Sequence, residues 1–229
     1  MKALVLFSGG ADSTTCLAMA INAYGTEEVT ALSGSYGQKH SRELQSAKEI
    51  AAYYGVSHRQ LDLAALFEGS DCSLLIGTAQ EIPKESYAHQ LKKTGGKPVS
   101  TYVPFRNGLF LSAAASIALS LGCSEIWYGA HQDDAAGNAY PDCSTAFHQA
   151  MNQAIYLGSG EQLKVVAPLI QKNKAEVIAL GTELQAPYHL TWSCYEGSVK
   201  PCGRCGTCLD RIAAFQANGL KDPLMEGAE

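Results

Sequence analysis

The chain has 229 residues, 46% of them hydrophobic, with 17 Lys+Arg set against 22 Asp+Glu for a formal net charge of −5. That length and apolar content suit one α/β domain with a small appendage and leave no room for two full domains. The acidic balance argues against a broad nucleic-acid-binding face, which would need enough cations to neutralise several phosphates, so a small-molecule substrate is expected.

Read along the chain, apolar runs alternate with helical periodicity, the pattern of a doubly wound, Rossmann-like parallel sheet with helices on both faces. "ALVLF" (3–7) leads through Gly9 and Gly10 into a helix over about 12–24, and "VTALSGSY" (29–36) reads as the second strand. A helix over 41–54 puts Leu44, Ala47, Ile50, Ala51 and Tyr54 on one face, with Gly55 at the stop, and "HRQLDL" (58–63) is the third strand. Residues 68–102 break the alternation; "KKTGGKP" (92–98) has the composition of a mobile loop, either a lid or a solvated excursion. Then follow a helix (107–121), a strand "EIWYGA" (125–130), a helix (144–157), a strand "KVVAPL" (164–169) and a helix (173–184). Met1 and Lys2 run straight into a strand, and "LFLSAAASIALSLG" is broken by three serines and too short for a bilayer. A cytoplasmic protein without a membrane partner is expected.

Two stretches carry chemistry. The first is Ser8-Gly9-Gly10-Ala11-Asp12-Ser13-Thr14 between strand and helix. It lacks the lysine that a P-loop sends to the β- and γ-phosphates, yet it gathers N–H groups and hydroxyls at a helix N-terminus, where the orphan donors and the macrodipole favour an anion. Such a nest suits a whole pyrophosphate; the plainer alternative is a tight turn with Asp12 or Ser13 as the N-cap. The second stretch is Cys194, Cys202, Cys205 and Cys208, spaced C-x7-C-x2-C-x2-C, with glycines in "PCGRCGTC" that let the chain bend around an ion. Four thiolates at that spacing suit a closed, structural Zn²⁺ site, with an iron–sulfur cluster as the alternative. Cys16, Cys72, Cys123 and Cys143 are isolated and read as core or pocket wall.

The glycine loop resembles the signature of the N-type ATP pyrophosphatase superfamily, which cleaves ATP between the α- and β-phosphates and transfers AMP to a substrate oxygen. Within it, "YVPFRN" (102–107), "YPDC" (140–143) and "TWSCYEG" (191–197) resemble the 7-cyano-7-deazaguanine synthase family of queuosine biosynthesis, and the likeness spans essentially the whole chain. It departs in the loop 129–143, where His131 stands at a position more often asparagine and an aromatic residue is lost. The resemblance implies an ATP pyrophosphatase domain over 1–190 and a zinc knuckle with a C-terminal helix over 191–229, packed on the same domain. It also implies a ligase that converts a carboxylated deazapurine with ammonia and ATP to the nitrile, with Mg²⁺, one structural Zn²⁺ per subunit and a homodimeric state.

On that reading ATP lies against Phe7, Ser8, Gly9, Gly10, Ala11, Asp12, Ser13, Thr14, Thr15, Cys16 and Leu17, with Asp12 helping to organise Mg²⁺. Asp142 is a candidate for the guanine edge, since a carboxylate accepts two N–H bonds, or else the N-cap of the next helix. Arg106, with Asn107 beside it, is a candidate clamp for a carboxylate or phosphate, or a brace for its loop. Lys39 and Lys174 are candidate cations for the leaving group or solvated lysines, and Phe105 and Phe147 stack on the purine or belong to the core. Ammonia must shed a proton, which makes Asp133 or Asp134 the general-base candidate, with His131 close enough to carry a proton.

Overall fold

The computed structural model describes residues 2–39, 41–196 and 199–225. Met1, His40, Gly197 with Ser198, and positions 226–229 of the C-terminal element lie outside them.

Strand β1 (Ala3–Leu6) alternates with period two. Ala3, Val5 and then Phe7 join one buried layer, whereas Leu4 joins the layer on the opposite face. After the glycine loop come α1 (Ala11–Tyr24), β2 (Val29–Ser35), α2 (Arg42–Tyr54) and β3 (Ser57–Asp62). Helix α2 stops where Gly55 turns left-handed at φ 70°, a conformation a Cβ would disfavour. There follow α3 (Tyr87–Thr94), α4 (Arg106–Ser120), β4 (Glu125–Trp127) and the single turn α5 (Gln132–Ala135). The chain continues through α6 (Thr145–Gly158), β5 (Lys164–Val166), α7 (Lys174–Glu183) and α8 (Gly206–Ala217).

The five strands pair in parallel in the order β3-β2-β1-β4-β5, with Val5 opposite Ala31 on one side and Trp127 on the other. Helices α1, α2 and α7 cover one face through Leu17, Ala47, Ile50 and Val177; α4 and α6 cover the other through Leu111, Ala114 and Ile155. Each fully buried Leu or Ile contributes roughly 1.5–3 kcal/mol, so both layers are needed to hold a sheet that is apolar on two sides. Strand order runs outward in opposite directions from β1, which places a switch point between β1 and β4. In such sheets the connections leave the strand ends in opposite directions there and open a crevice.

The expected strand and helix alternation is present, with boundaries shifted by a few residues. Residues 68–102 differ from expectation. Cys72, Leu74 and Leu75 are buried against Tyr36, Phe67 and Val103, and α3 takes up Lys92 to Thr94, which their composition assigns to a loop. The helix spans eight residues, too few for its apolar positions to establish a period, and Gly95 ends it in the left-handed region. Nor does Asp142 cap α6: Ser144 does, accepting the Phe147 N–H. At α1 neither Asp12 nor Ser13 is the N-cap; Gly10 is.

Candidate functional site

The glycine loop leaves β1 at the switch point, and its backbone leaves no alternative to glycine at position 9. Gly9 has φ +85°, and a Cβ there would lie 2.5 Å from Ala47 N and 2.6 Å from Glu43 O on α2. The loop is braced by its own hydroxyls: Ser8 Oγ accepts the Gly10 N–H at 3.2 Å, and Ser13 Oγ accepts the Ser8 N–H at 3.2 Å. Thr14 Oγ1 turns back to Gly10 O at 2.8 Å. The opening N–H groups of α1 have no carbonyl of their own helix to bond, and no side chain among the described residues caps them. They present donors and positive potential to whatever enters the crevice.

Opposite the loop, the chain leaving β4 comes so close that a Cβ on Gly129 would sit 3.0 Å from Asp12 O. Between the two lies a cleft of about 230 Å³, lined by Phe7, Ser8, Gly10, Asp12 and Ser13 from the loop and by Arg106, Asn107, His131, Asp134 and Lys174 from elsewhere.

A charged cluster occupies the end next to α1. Lys174 Nζ, at the start of α7, donates to both oxygens of Asp12 at 2.6 and 2.5 Å. His131 is buried, with Nε2 at 3.6 Å from Asp12 Oδ1 and 3.4 Å from Asp134 Oδ2; its Nδ1 has no partner among the described residues. Burial works to raise the Asp12 carboxyl, but Lys174 and His131 outweigh it, and the group lies below the ordinary carboxylate range. For Asp134 burial wins and pushes the carboxyl up. Asp210, on α8, is raised by burial to about 6, despite the pull of Lys174. Asp133 is engaged elsewhere, where it accepts the backbone N–H of Lys174 at 2.7 Å and so braces the first turn of α7.

Arg106, the first residue of α4, marks the other end. Its guanidinium lies 5.2 Å from the Tyr36 ring centroid and donates to Tyr36 Oη at 3.4 Å. Glu43 shares this part of the cleft, and burial raises its carboxyl to about 7 while Arg106 pulls it down and Cys194 adds to the rise. Asn107 is held by Asp142, whose Oδ2 accepts its backbone N–H at 2.8 Å. Asp142 therefore caps α4, a helix that precedes it in sequence, and its carboxyl is raised by burial. The third wall consists of tyrosines: Tyr87 Oη and Tyr195 Oη are 2.7 Å apart, Tyr140 Oη is 3.4 Å from Tyr195 Oη, and Thr101 Oγ1 lies 2.6 Å from Tyr140 Oη.

Of the residues singled out in the sequence, Gly9, Ala11, Thr14, Thr15, Cys16 and Leu17 form the loop's turn and the buried back of α1 rather than the cleft wall. Lys39 turns its ammonium to Gln80 O at 3.0 Å, outside the cleft. Phe105 is half exposed at φ 54° and meets Phe147 edge-on at 5.8 Å; neither ring faces the cavity. Tyr36, Glu43, Tyr87, Tyr195 and Asp210 also line the cleft, and no sequence motif singles them out as site residues. Tyr36 ends a strand that leads into Gly37 and Tyr195 sits inside "TWSCYEG", so both had a local signal; Tyr87 and Asp210 had none.

Cys194, Cys202, Cys205 and Cys208 come together with all four sulfurs within 4.8 Å of one another. Ligands bound at about 2.3 Å in a tetrahedron have their sulfurs roughly 3.8 Å apart, so the set needs little adjustment to close on an ion. The backbone N–H groups of Glu196 and Cys202 point at Cys194 Sγ at 3.4 and 3.3 Å, the support that a thiolate ligand requires. The donor set fits a metal such as Zn²⁺. The knuckle also builds the site, because the Trp192 N–H donates to Gly9 O at 2.9 Å and Tyr195 follows Cys194 directly into the tyrosine wall.

Comparison with known proteins gives a consistent picture. The family model described as "Queuosine biosynthesis protein QueC" matches residues 2–219. A 7-cyano-7-deazaguanine synthase of Archaeoglobus fulgidus is 42% identical over 100% of this chain and 92% of its own length. One of Pseudoalteromonas atlantica is 39% identical over 97% of both chains. Among solved structures, the U34-tRNA thiolase NcsA of Methanococcus maripaludis, with its [4Fe-4S] cluster, aligns with TM-score 0.53 at 17% identity, covering 99% of this chain and 71% of its own. NMN synthetase of Francisella tularensis aligns with TM-score 0.53 at 16% identity, covering 96% and 78%. At those identities the structures share the fold.

Proposed function

The chain belongs to the QueC family of queuosine biosynthesis proteins, the 7-cyano-7-deazaguanine synthases, and from that premise we propose an ATP-dependent ligase that turns 7-carboxy-7-deazaguanine and ammonia into the 7-cyano compound. The observation that carries the reading is a nest of backbone donors at the start of α1 that shares one cleft, at the sheet's switch point, with a basic residue, Arg106.

The chemistry follows from the leaving groups. A carboxylate resists attack by ammonia because oxide would have to leave; transfer of AMP to that oxygen turns it into a good leaving group, and ammonia then gives the amide. A second AMP transfer, to the amide oxygen, lets the C–O bond break with loss of AMP and a proton, leaving the nitrile. Both rounds use the same grip on pyrophosphate. The N-terminus of helix α1 with Ser8 and Ser13 holds the β,γ-pyrophosphate, while Thr14, buried, braces the loop through Gly10 O, and Lys174 moves from Asp12 to the departing phosphates. Asp12 would then hold the Mg²⁺ that accompanies ATP, an ion that would supply charge neutralisation at the phosphates. Arg106 and Asn107 position the acid, and the hydroxyls of Tyr87, Tyr140 and Tyr195 meet the polar edge of the base. Residues 1–190 act as the ATP domain and 191–229 as its knuckle. Four thiolates would hold one Zn²⁺ there as a structural ion that keeps Trp192 and Tyr195 in the cleft wall. A cytoplasmic homodimer completes the proposal.

Metal-loaded protein incubated with 7-carboxy-7-deazaguanine, ammonium and ATP should give AMP, pyrophosphate and a product lighter than the amide by one water. No AMP formation would sink the reading.

A further inference from the structure

Amide formation has to remove a proton from nitrogen, and the cleft's carboxylates differ in their freedom to accept it. Among the described residues, four carboxylates line the cavity: Asp12, Glu43, Asp134 and Asp210. Asp12 is clamped by Lys174, and Asp134 faces His131. Asp133, the other candidate from sequence, does not line the cavity and is engaged with the Lys174 N–H. Glu43 and Asp210 have no hydrogen bond or ion pair among the described residues. Their surroundings separate them. Asp210 senses Lys174, Asp134, Asp133 and His131, the charged cluster beside α1. Glu43 instead lies within electrostatic reach of Arg106 and of the Cys194 thiolate, and Tyr36 lies within reach of Glu43.

Glu43 also lies where an acyl adenylate must react. Its own carbonyl abuts Gly9, so the first turn of α2 touches the loop that would hold pyrophosphate. Its side chain shares the cavity with Arg106, whose guanidinium is stacked on Tyr36 and suits the substrate carboxylate. The α-phosphorus and the carbon under attack have to sit between these two points, and Glu43 borders that gap.

We infer that Glu43 is the general base of the amide-forming step, a catalytic role that rests on the ligase reading above. Ammonia enters unprotonated and its lone pair forms the C–N bond. As the nitrogen becomes positive, the Glu43 carboxylate takes one of its protons. The C–O bond to AMP then breaks, AMP leaves with the electron pair, and protonated Glu43 returns its proton to water in the cleft. Charge is conserved: the acyl adenylate and the carboxylate enter with one negative charge each, and AMP leaves with both. The position of Glu43 in a cleft that holds its carboxyl near 7 suits this exchange at neutral pH.

The test separates the two half-reactions in the full-length, metal-loaded protein. Adenylation is read by exchange of labelled pyrophosphate into ATP with 7-carboxy-7-deazaguanine present; amide formation is read by single turnover with ammonia and with hydroxylamine, a stronger nucleophile that depends less on a base. For Glu43→Gln, the ammonia rate should fall by about 10²-fold or more, the hydroxylamine rate by less than about tenfold, and exchange by less than about threefold. Glu43→Asp, which keeps a carboxylate one methylene short, should recover part of the ammonia rate and serves if the glutamine variant is unstable. Equal losses with both nucleophiles, or an ammonia rate unchanged in both variants, would overturn the inference alone. Absence of exchange in the unaltered protein would overturn the ligase reading and this inference together.

Discussion

Arg211 is the fully buried charge on which the knuckle depends, and removing its counter-ion should unfasten the wall of the cleft. Its Nε and Nη2 donate to both oxygens of Asp222 at 2.7 and 2.9 Å, Nη1 to Thr191 Oγ1 at 2.7 Å and Ser193 Oγ at 3.2 Å, and Nη2 also to Tyr188 O at 3.1 Å. One guanidinium thus pins residues 188–193, the segment that reaches Gly9 through the Trp192 N–H, onto α8. Asp222→Ala leaves the other acceptors, Thr191 Oγ1, Ser193 Oγ and Tyr188 O, in place but strands a positive charge that is 0% exposed. Breaking a buried pair in this way costs about 3–5 kcal/mol, because the desolvated charge keeps its penalty and loses its partner. At roughly 2–4 °C per kcal/mol for a chain of this size, Tm should fall by about 6–20 °C. The urea midpoint should fall with the slope unchanged. Replacing both partners with apolar residues, Arg211→Met with Asp222→Leu, removes the stranded charge and should recover at least half of the loss. A single variant within about 1 kcal/mol of the unaltered protein, or a double variant less stable than Asp222→Ala, would refute the reasoning.

Three further expectations rest on other features. Gly9→Ala forces a left-handed φ and a collision with the backbone of α2, so ATP–pyrophosphate exchange should fall by at least about 10²-fold, with a stability loss of about 2–4 kcal/mol by urea unfolding; near-normal exchange would contradict the geometry. Cys205→Ala removes one of four thiolates, and zinc measured by atomic emission should drop from about one per chain to a small fraction, with ATP turnover declining in step as the Trp192 wall loosens. Glu43 is a carboxyl raised in the folded state, from 4.5 to about 7. Its favourable proton linkage is fully present below the unfolded value and is lost as pH rises through the folded one. Glu43→Gln should therefore gain stability over the unaltered protein between pH 5 and pH 8; the shift sets a ceiling of about 3 kcal/mol, and solvent in the cleft reduces the expected gain to about 1 kcal/mol. A gain that shrank as pH rose would reverse the sign and rule out burial as the cause.

The frame of this protein is written in short stretches of its chain. Period-two and period-3.6 hydrophobic patterns are local, so the strands and most helices were legible with small boundary shifts, as were the glycine loop and the cysteine spacing, each contained within a short run. What folding alone decided was which polar groups meet. Asp142 caps a helix 35 residues earlier in the chain, and Lys174 closes on Asp12 from 162 residues away. Lys39 is drawn off to Gln80, and Phe105 and Phe147 pack on each other instead of facing the cleft. Tyr87, on a helix too short to register a period, comes to Tyr195 beside the cysteine knuckle. The physical reason is one of range. Backbone preference and burial periodicity act over a few residues and are written along the chain, whereas the freedom of Glu43 and the engagement of its neighbours depend on partners that only the packed sheet, with its switch point at β1, brings within hydrogen-bonding distance.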